Sequence, residues 1–108
     1  MQILFDQGTP TAITGFLRGH TIATAKERGW DALSNGELLR VAEEAGFEVL
    51  LTTDNNLAYQ QNLKARKIAI VVLSRNRWKM VQRMVRQIVA AVDGAAPGSY
   101  TRIEIPMR

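Results

Sequence analysis

The chain of 108 residues contains no cysteine, which excludes disulfides, thiolate metal sites and a cysteine nucleophile. Its single histidine, His20, follows a glycine and is expected in a surface loop. Aromatic residues make up 6% of the chain. The two tryptophans, Trp30 and Trp78, are expected in the core or at its rim rather than as base-stacking platforms. No run approaches the roughly 18 apolar residues of a membrane span. The opening "MQILFDQG" lacks the basic-then-apolar layout of a signal peptide, so the expected location is the cytoplasm, with no membrane partner. Internal repeats, linkers and low-complexity segments are also missing. With 46% hydrophobic and 22% charged residues, the composition is that of one ordinary globular domain, expected over residues 1–108.

The formal net charge is +4 and the pI about 10.0. An anionic partner such as nucleic acid fits this balance, as does a basic protein that binds none. The bias is local. Arg75, Arg77, Lys79, Arg83, Arg86, Arg102 and Arg108 lie in the C-terminal third, with Lys64, Arg66 and Lys67 just before it. Acidic residues such as Glu43, Glu44 and Glu48 come earlier.

Strand-like and helix-like segments alternate. "QILF" (2–5) reads as a short strand. "TPTAITGFLRG" (9–19) reads as a helix with Thr9 as N-cap, Pro10 at the first helical position and Gly19 at its stop. Ala12, Ile13, Phe16 and Leu17 would share its apolar face. "TIATA" (21–25) is a brief strand. In "SNGELLRVAEEAG" (34–46), Ser34 followed three residues later by Glu37 is a capping box, and Gly46 closes the helix. Leu38, Val41, Ala42 and Ala45 form its expected buried face. "EVLLTT" (48–53) and "IAIVVLS" (68–74) are strands with little alternation, as when both faces of a sheet are covered. "NLAYQQNL" (56–63) reads as a short helix. "RWKMVQRMVRQIVAAVDG" (77–94) reads as one long amphipathic helix with Val81, Val85, Ile88 and Val92 inward. Arg75, Lys79, Arg83 and Arg86 would group on its opposite side. "YTRIEI" (100–105) alternates like an edge strand before Pro106. This alternation predicts an α/β fold, a three-layer α/β/α sandwich around a central, mostly parallel sheet.

Two apolar strands each run straight into an aspartate, Asp6 and Asp54. In open α/β sheets, sites form beyond the carboxyl ends of the strands. Were the two strands parallel neighbours, Asp6 and Asp54 would meet there. Two such carboxylates repel each other unless a cation lies between them. Oxygen donors without His or Cys suit Mg2+ or Mn2+, which can position a phosphodiester and activate water. Glu37, in the first turn of a helix expected to start at the same crevice, is a candidate third ligand. Asn56 and Asn76 could orient water or phosphate without adding charge. Each acid also has an ordinary explanation. An Asp after a strand often serves as a turn residue, the capping box accounts for Glu37, and a basic helix stripe is often a solvated face.

At these residues the sequence resembles the compact branch of PIN-like proteins, related to the toxin ribonucleases of bacterial toxin–antitoxin pairs. The matching stretches are "ILFDQGTP" (3–10), "LSNGELLRVAEEAGFEVLLTTDNNL" (33–57) and "IAIVVLSRNRW" (68–78). The resemblance implies an acidic cluster binding Mg2+ or Mn2+ that hydrolyses single-stranded RNA, with an antitoxin as possible partner and a homodimer as possible state. Asp6 matches the family's first acid. Asp54 matches the first acid of a "T-x-D-x-D" element, here Thr52-Thr53-Asp54-Asn55-Asn56. The family's pattern has acids where this chain has Asn35 and Asn56, and Glu37 is the available middle acid. Asp6, Glu37 and Asp54 are thus the expected catalytic and metal-binding set, supported by Asn35, Asn56 and Asn76. Arg75, Arg77, Lys79 and Arg83 are the expected contacts to the RNA backbone.

Three other readings stand beside this one. A catalytically degenerate PIN-like domain would bind RNA or a protein without cleavage, as the two Asn replacements suggest. In a receiver-like signalling domain Asp54 would accept a phosphoryl group, with Ser74 after the next strand. Receivers, however, need paired acids after the first strand, where this chain has Asp6-Gln7, and a Lys before the final Pro, where it has Ile105. A domain that acts only in an assembly is the third.

Overall fold

The computed structural model describes residues 1–57 and 66–107. The segment expected to form a helix at 56–63 lies almost wholly outside the described residues, as do Lys64 and Arg108. Five strands form one sheet: β1 (Gln2–Phe5), β2 (Thr21–Thr24), β3 (Val49–Thr52), β4 (Ala69–Leu73) and β5 (Tyr100–Ile103). Their spatial order is β2-β1-β3-β4-β5, and every neighbouring pair is parallel. The sheet is therefore wholly rather than mostly parallel.

Alternation along the strands divides the core into two layers, because successive side chains point to opposite faces. Ile3, Phe5, Val49, Leu51, Ala69, Val71 and Leu73 face one layer. Leu4, Leu50, Ile70 and Val72 face the other. β3 and β4 are buried throughout, which is why their sequences read as continuous apolar runs. Helix α1 (Asn35–Glu44) covers the second face with Leu38, Leu39 and Ala42. Ala45 is exposed and Val41 only half-buried, so the helix is rotated toward Leu39 relative to the expected face. Its ends form as expected. Ser34 Oγ accepts from the Glu37 N–H, Gly46 takes φ +90°, and Phe47 N–H returns to the Ala42 carbonyl.

The first face is covered differently from expectation. Residues 11–16 form a 3-10 helix rather than an α-helix. It buries Ile13, and Leu17 after it, while Ala12 and Phe16 stay exposed. Thr9 is no N-cap, because its hydroxyl donates instead to the Leu51 carbonyl at 3.1 Å and Pro10 takes the cap position. The long C-terminal helix is interrupted as well. Helix α2 (Trp78–Val81) passes through a 3-10 turn at Gln82–Met84 into α3 (Val85–Asp93). Val81, Ile88 and Val92 are buried as expected, with Val85 half-buried. Arg75 lies before the first helical residue, and Lys79, Arg83 and Arg86 are exposed. β5 closes the sheet, and the inward alternation continues through Ile103 and Ile105. Among the described residues no helix is long and apolar enough to cross a membrane.

Candidate functional site

The chain leaves β1 toward β2 on one side and returns through α1 to β3 on the other. This reversal opens a crevice at the carboxyl ends of β1 and β3, where doubly wound sheets bind ligands. Ile3, Leu4 and Phe5 pair with Val49, Leu50 and Leu51, and Asp6 N–H continues the ladder to the Leu51 carbonyl at 2.9 Å. The strand adjacency on which the two-acid expectation depended is therefore present.

The buried Thr52 side chain joins the two aspartates. Its hydroxyl donates to Asp6 Oδ2 at 2.8 Å and accepts from the Asp54 N–H at 3.1 Å. Asp6 Oδ1 accepts from the Gln7 N–H at 2.8 Å. Asp54 Oδ1 accepts from the Asn56 N–H at 2.9 Å, and its Oδ2 accepts from Asn35 Nδ2 at 2.8 Å. Both carboxylates are half-buried. Every one of these donors is neutral, and among the described residues neither aspartate takes part in an ion pair. Each oxygen accepts one such bond and keeps a second lone-pair direction.

Asn35 and Asn56 thus reach the acid pair, Asn35 through its side chain and Asn56 through its backbone. Glu37 is exposed and its N–H serves the Ser34 cap. Among the described residues, no three His, Cys, Asp or Glu side chains form a group that could hold a metal ion. The expected three-acid set is therefore not assembled. A pair fits Mg2+ all the same, since that ion commonly takes one or two carboxylates and completes its shell with waters and substrate phosphate.

Beside the acids lies a cleft of about 510 Å3 at the ends of β3 and β4, lined by Thr53, Ser74, Arg75, Asn76, Arg77 and Met80 and also by Pro106 and Met107. Arg75, Asn76 and Arg77 are exposed within it. Lys79 and Arg83 are also exposed but do not line it, and Arg83 Nη1 lies 4.0 Å from Met80 Sδ. The loop after β1 approaches the same cleft. A Cβ on Gly8, which has φ +88°, would come within 3.2 Å of Thr53 Oγ1 and 3.8 Å of Asn76 Nδ2. Asn55 ties the rim together, donating to the Thr53 and Ser74 carbonyls and accepting from Arg102 Nε.

Sequence reasoning missed Thr9, Thr52 and Asn55. Thr52 had a visible signal, because a hydroxyl two residues before an Asp is placed to accept that residue's N–H. Thr9 had none, since its partner lies 42 positions away.

Fold and site together define a doubly wound, wholly parallel α/β protein with a paired-aspartate crest next to an arginine-lined cleft. No protein-family model, curated protein or solved structure matches the chain.

Proposed function

We propose that this crest is the active site of a divalent-metal-dependent ribonuclease acting on single-stranded RNA in the cytoplasm, of the PIN-like kind that its sequence resembles. One observation carries the reading: Thr52 links the Asp6 carboxylate to the Asp54 backbone, and among the described residues both carboxylates accept only from neutral donors, next to a cleft with two arginines. Two neighbouring aspartates that take part in no ion pair among the described residues suit an external cation. Asp6 and Asp54 would hold Mg2+ or Mn2+, which when bound supplies Lewis acidity at a phosphodiester.

The chain's own residues have distinct tasks. Thr52 orients Asp6 and the backbone of Asp54. Asn35 fixes one Asp54 oxygen and so aims the other lone pairs outward. Arg75 and Arg77 bind phosphates on either side of the scissile bond, and Asn76 donates to a phosphate oxygen between them. The toxin role, and with it an antitoxin partner, follows from the resemblance of the three matching stretches.

The strand order is shared by receiver domains, yet Gln7 and Ile105 stand where a receiver needs an acid and a lysine. A second reading, a degenerate domain that binds RNA without cutting, is favoured by the Asn35 amide at a position where the family's pattern has an acid.

Calorimetric titration of Mn2+ into the wild type, Asp6→Asn and Asp54→Asn decides between them, followed by cleavage of a labelled single-stranded RNA. Binding by the wild type, lost in both variants together with cleavage, is the expected result. A wild type that binds no Mn2+ at millimolar concentration and leaves RNA intact overturns the nuclease and favours the degenerate domain.

A further inference from the structure

Among the described residues only two large apolar side chains are exposed, Phe16 at 43% and Met107 at 69%. Scattered singly, such residues need no explanation, but one lines the cleft and the other packs on the tryptophan that follows the cleft residue Arg77 in the chain. Met107 lines it directly. Phe16 packs its ring on Trp78, with centroids 6.2 Å apart at 43°, and Trp78 lies in the chain between Arg77 and Met80, which line the cleft, without lining it itself. Trp78 is anchored from below by the first core layer, so it forms a fixed base. Phe16 projects from the end of a 3-10 helix whose Ile13 is fully buried.

An aromatic pair whose tryptophan follows Arg77 in the chain, next to a cleft lined by Arg75 and Arg77, suits a ligand that carries both flat rings and negative charge. Stacking on aromatic side chains beside a basic groove is how unpaired bases are held without sequence preference. We propose that Phe16 and Trp78 form a stacking shelf for an unpaired nucleobase of a single-stranded nucleic acid whose phosphates occupy the Arg75–Arg77 cleft. The shelf rests on the nucleic-acid reading above and deepens it, because bases paired within a duplex offer no free ring face.

The test is fluorescence anisotropy of a short labelled oligoadenylate, in EDTA so that neither metal binding nor cleavage contributes. Inorganic polyphosphate serves as a competitor that carries charge without rings. Phe16→Ala is expected to weaken oligoadenylate binding about tenfold and to leave competition by polyphosphate unchanged. Phe16→Trp is expected to restore the affinity, and a duplex of equal length to bind the wild type more weakly. Equal oligoadenylate affinity for Phe16→Ala and the wild type overturns the shelf. If Arg77→Ala still weakens that binding, the nucleic-acid reading stands without it. A wild type that binds neither oligoadenylate nor polyphosphate overturns both, and leaves the aromatic pair as a surface for a protein partner.

Discussion

The two ends of the sheet have cavities of nearly equal size and opposite chemistry. At the amino end a hollow of about 540 Å3 is bordered by Glu43, Glu44, Glu48 and Lys67. There each acid works alone. Glu43 Oε1 accepts from the Lys67 N–H, Glu48 Oε1 from the Gln2 N–H, and Glu44 pairs with Arg40. Asp93 takes His20 Nε2 at 2.6 Å, while His20 Nδ1 faces the Met1 amino nitrogen at 3.2 Å. His20, expected in an open loop, is thus a tether with a side chain only 12% exposed. At the carboxyl end, by contrast, one threonine links two aspartates, which among the described residues accept, like Glu43 and Glu48, from neutral donors, with arginines lining the adjoining cleft. Cavity volume does not separate these regions. Whether one residue of the chain links the carboxylate-bearing residues to one another does.

The comparison can be broken most sharply at Asp54. Asp54→Asn is expected to reduce RNA cleavage by about a hundredfold or more, since several kcal/mol of transition-state charge stabilisation is at stake. Glu48→Gln, at the other end, should leave the rate unchanged. A comparable loss in both would mean that the acids of the two ends are equivalent.

Thr52→Val probes the join between the acids. The change leaves the Asp54 N–H without its buried acceptor and removes the donor to Asp6, so urea denaturation should show a loss of about 1–3 kcal/mol. Mn2+ affinity should fall with it. Unaltered stability would show that the hydroxyl does not organise the crest.

Gly8→Ala forces a side chain into a left-handed backbone with Thr53 Oγ1 at 3.2 Å. A destabilisation of about 1–2 kcal/mol is expected, readable as a lowered thermal midpoint. Gly46 has a similar φ but open space around it, so Gly46→Ala should cost only the backbone share of that figure.

Arg77→Ala should lower the slope of log affinity against log salt by about 0.7 for single-stranded RNA, one phosphate contact. Lys79→Ala, outside the cleft lining, should change it less. The smallest effect belongs to Glu48→Gln in stability, within about 0.5 kcal/mol of the wild type, because the amide oxygen still accepts from Gln2.

Much of this architecture was legible before the structure. Continuous apolar strands demanded a sheet covered on both faces, and the Ser34–Glu37 box with Gly46 marked both ends of α1. The aspartates at the ends of two such strands pointed to the crevice. Local pattern misled where long-range contacts compete with it. Thr9 is a good N-cap in isolation, yet the Leu51 carbonyl claims its hydroxyl and the following helix tightens to 3-10. The valine spacing across 78–92 is continuous, yet the backbone tightens to a 3-10 turn at Gln82–Met84 between two α-helices.

The order of apolar and polar residues along the chain determined the layers, the two-faced core and the presence of an acid at the end of β1 and just beyond β3, because burial follows side-chain periodicity. Which strands became neighbours was decided only by the tertiary structure, and with it whether those acids would meet. Placing β1 between β2 and β3 put Thr52 beside Asp6, left Glu37 outside the set and set Phe16 against Trp78. These contacts join residues up to 62 positions apart (78 − 16), and no local propensity encodes a pairing across that distance.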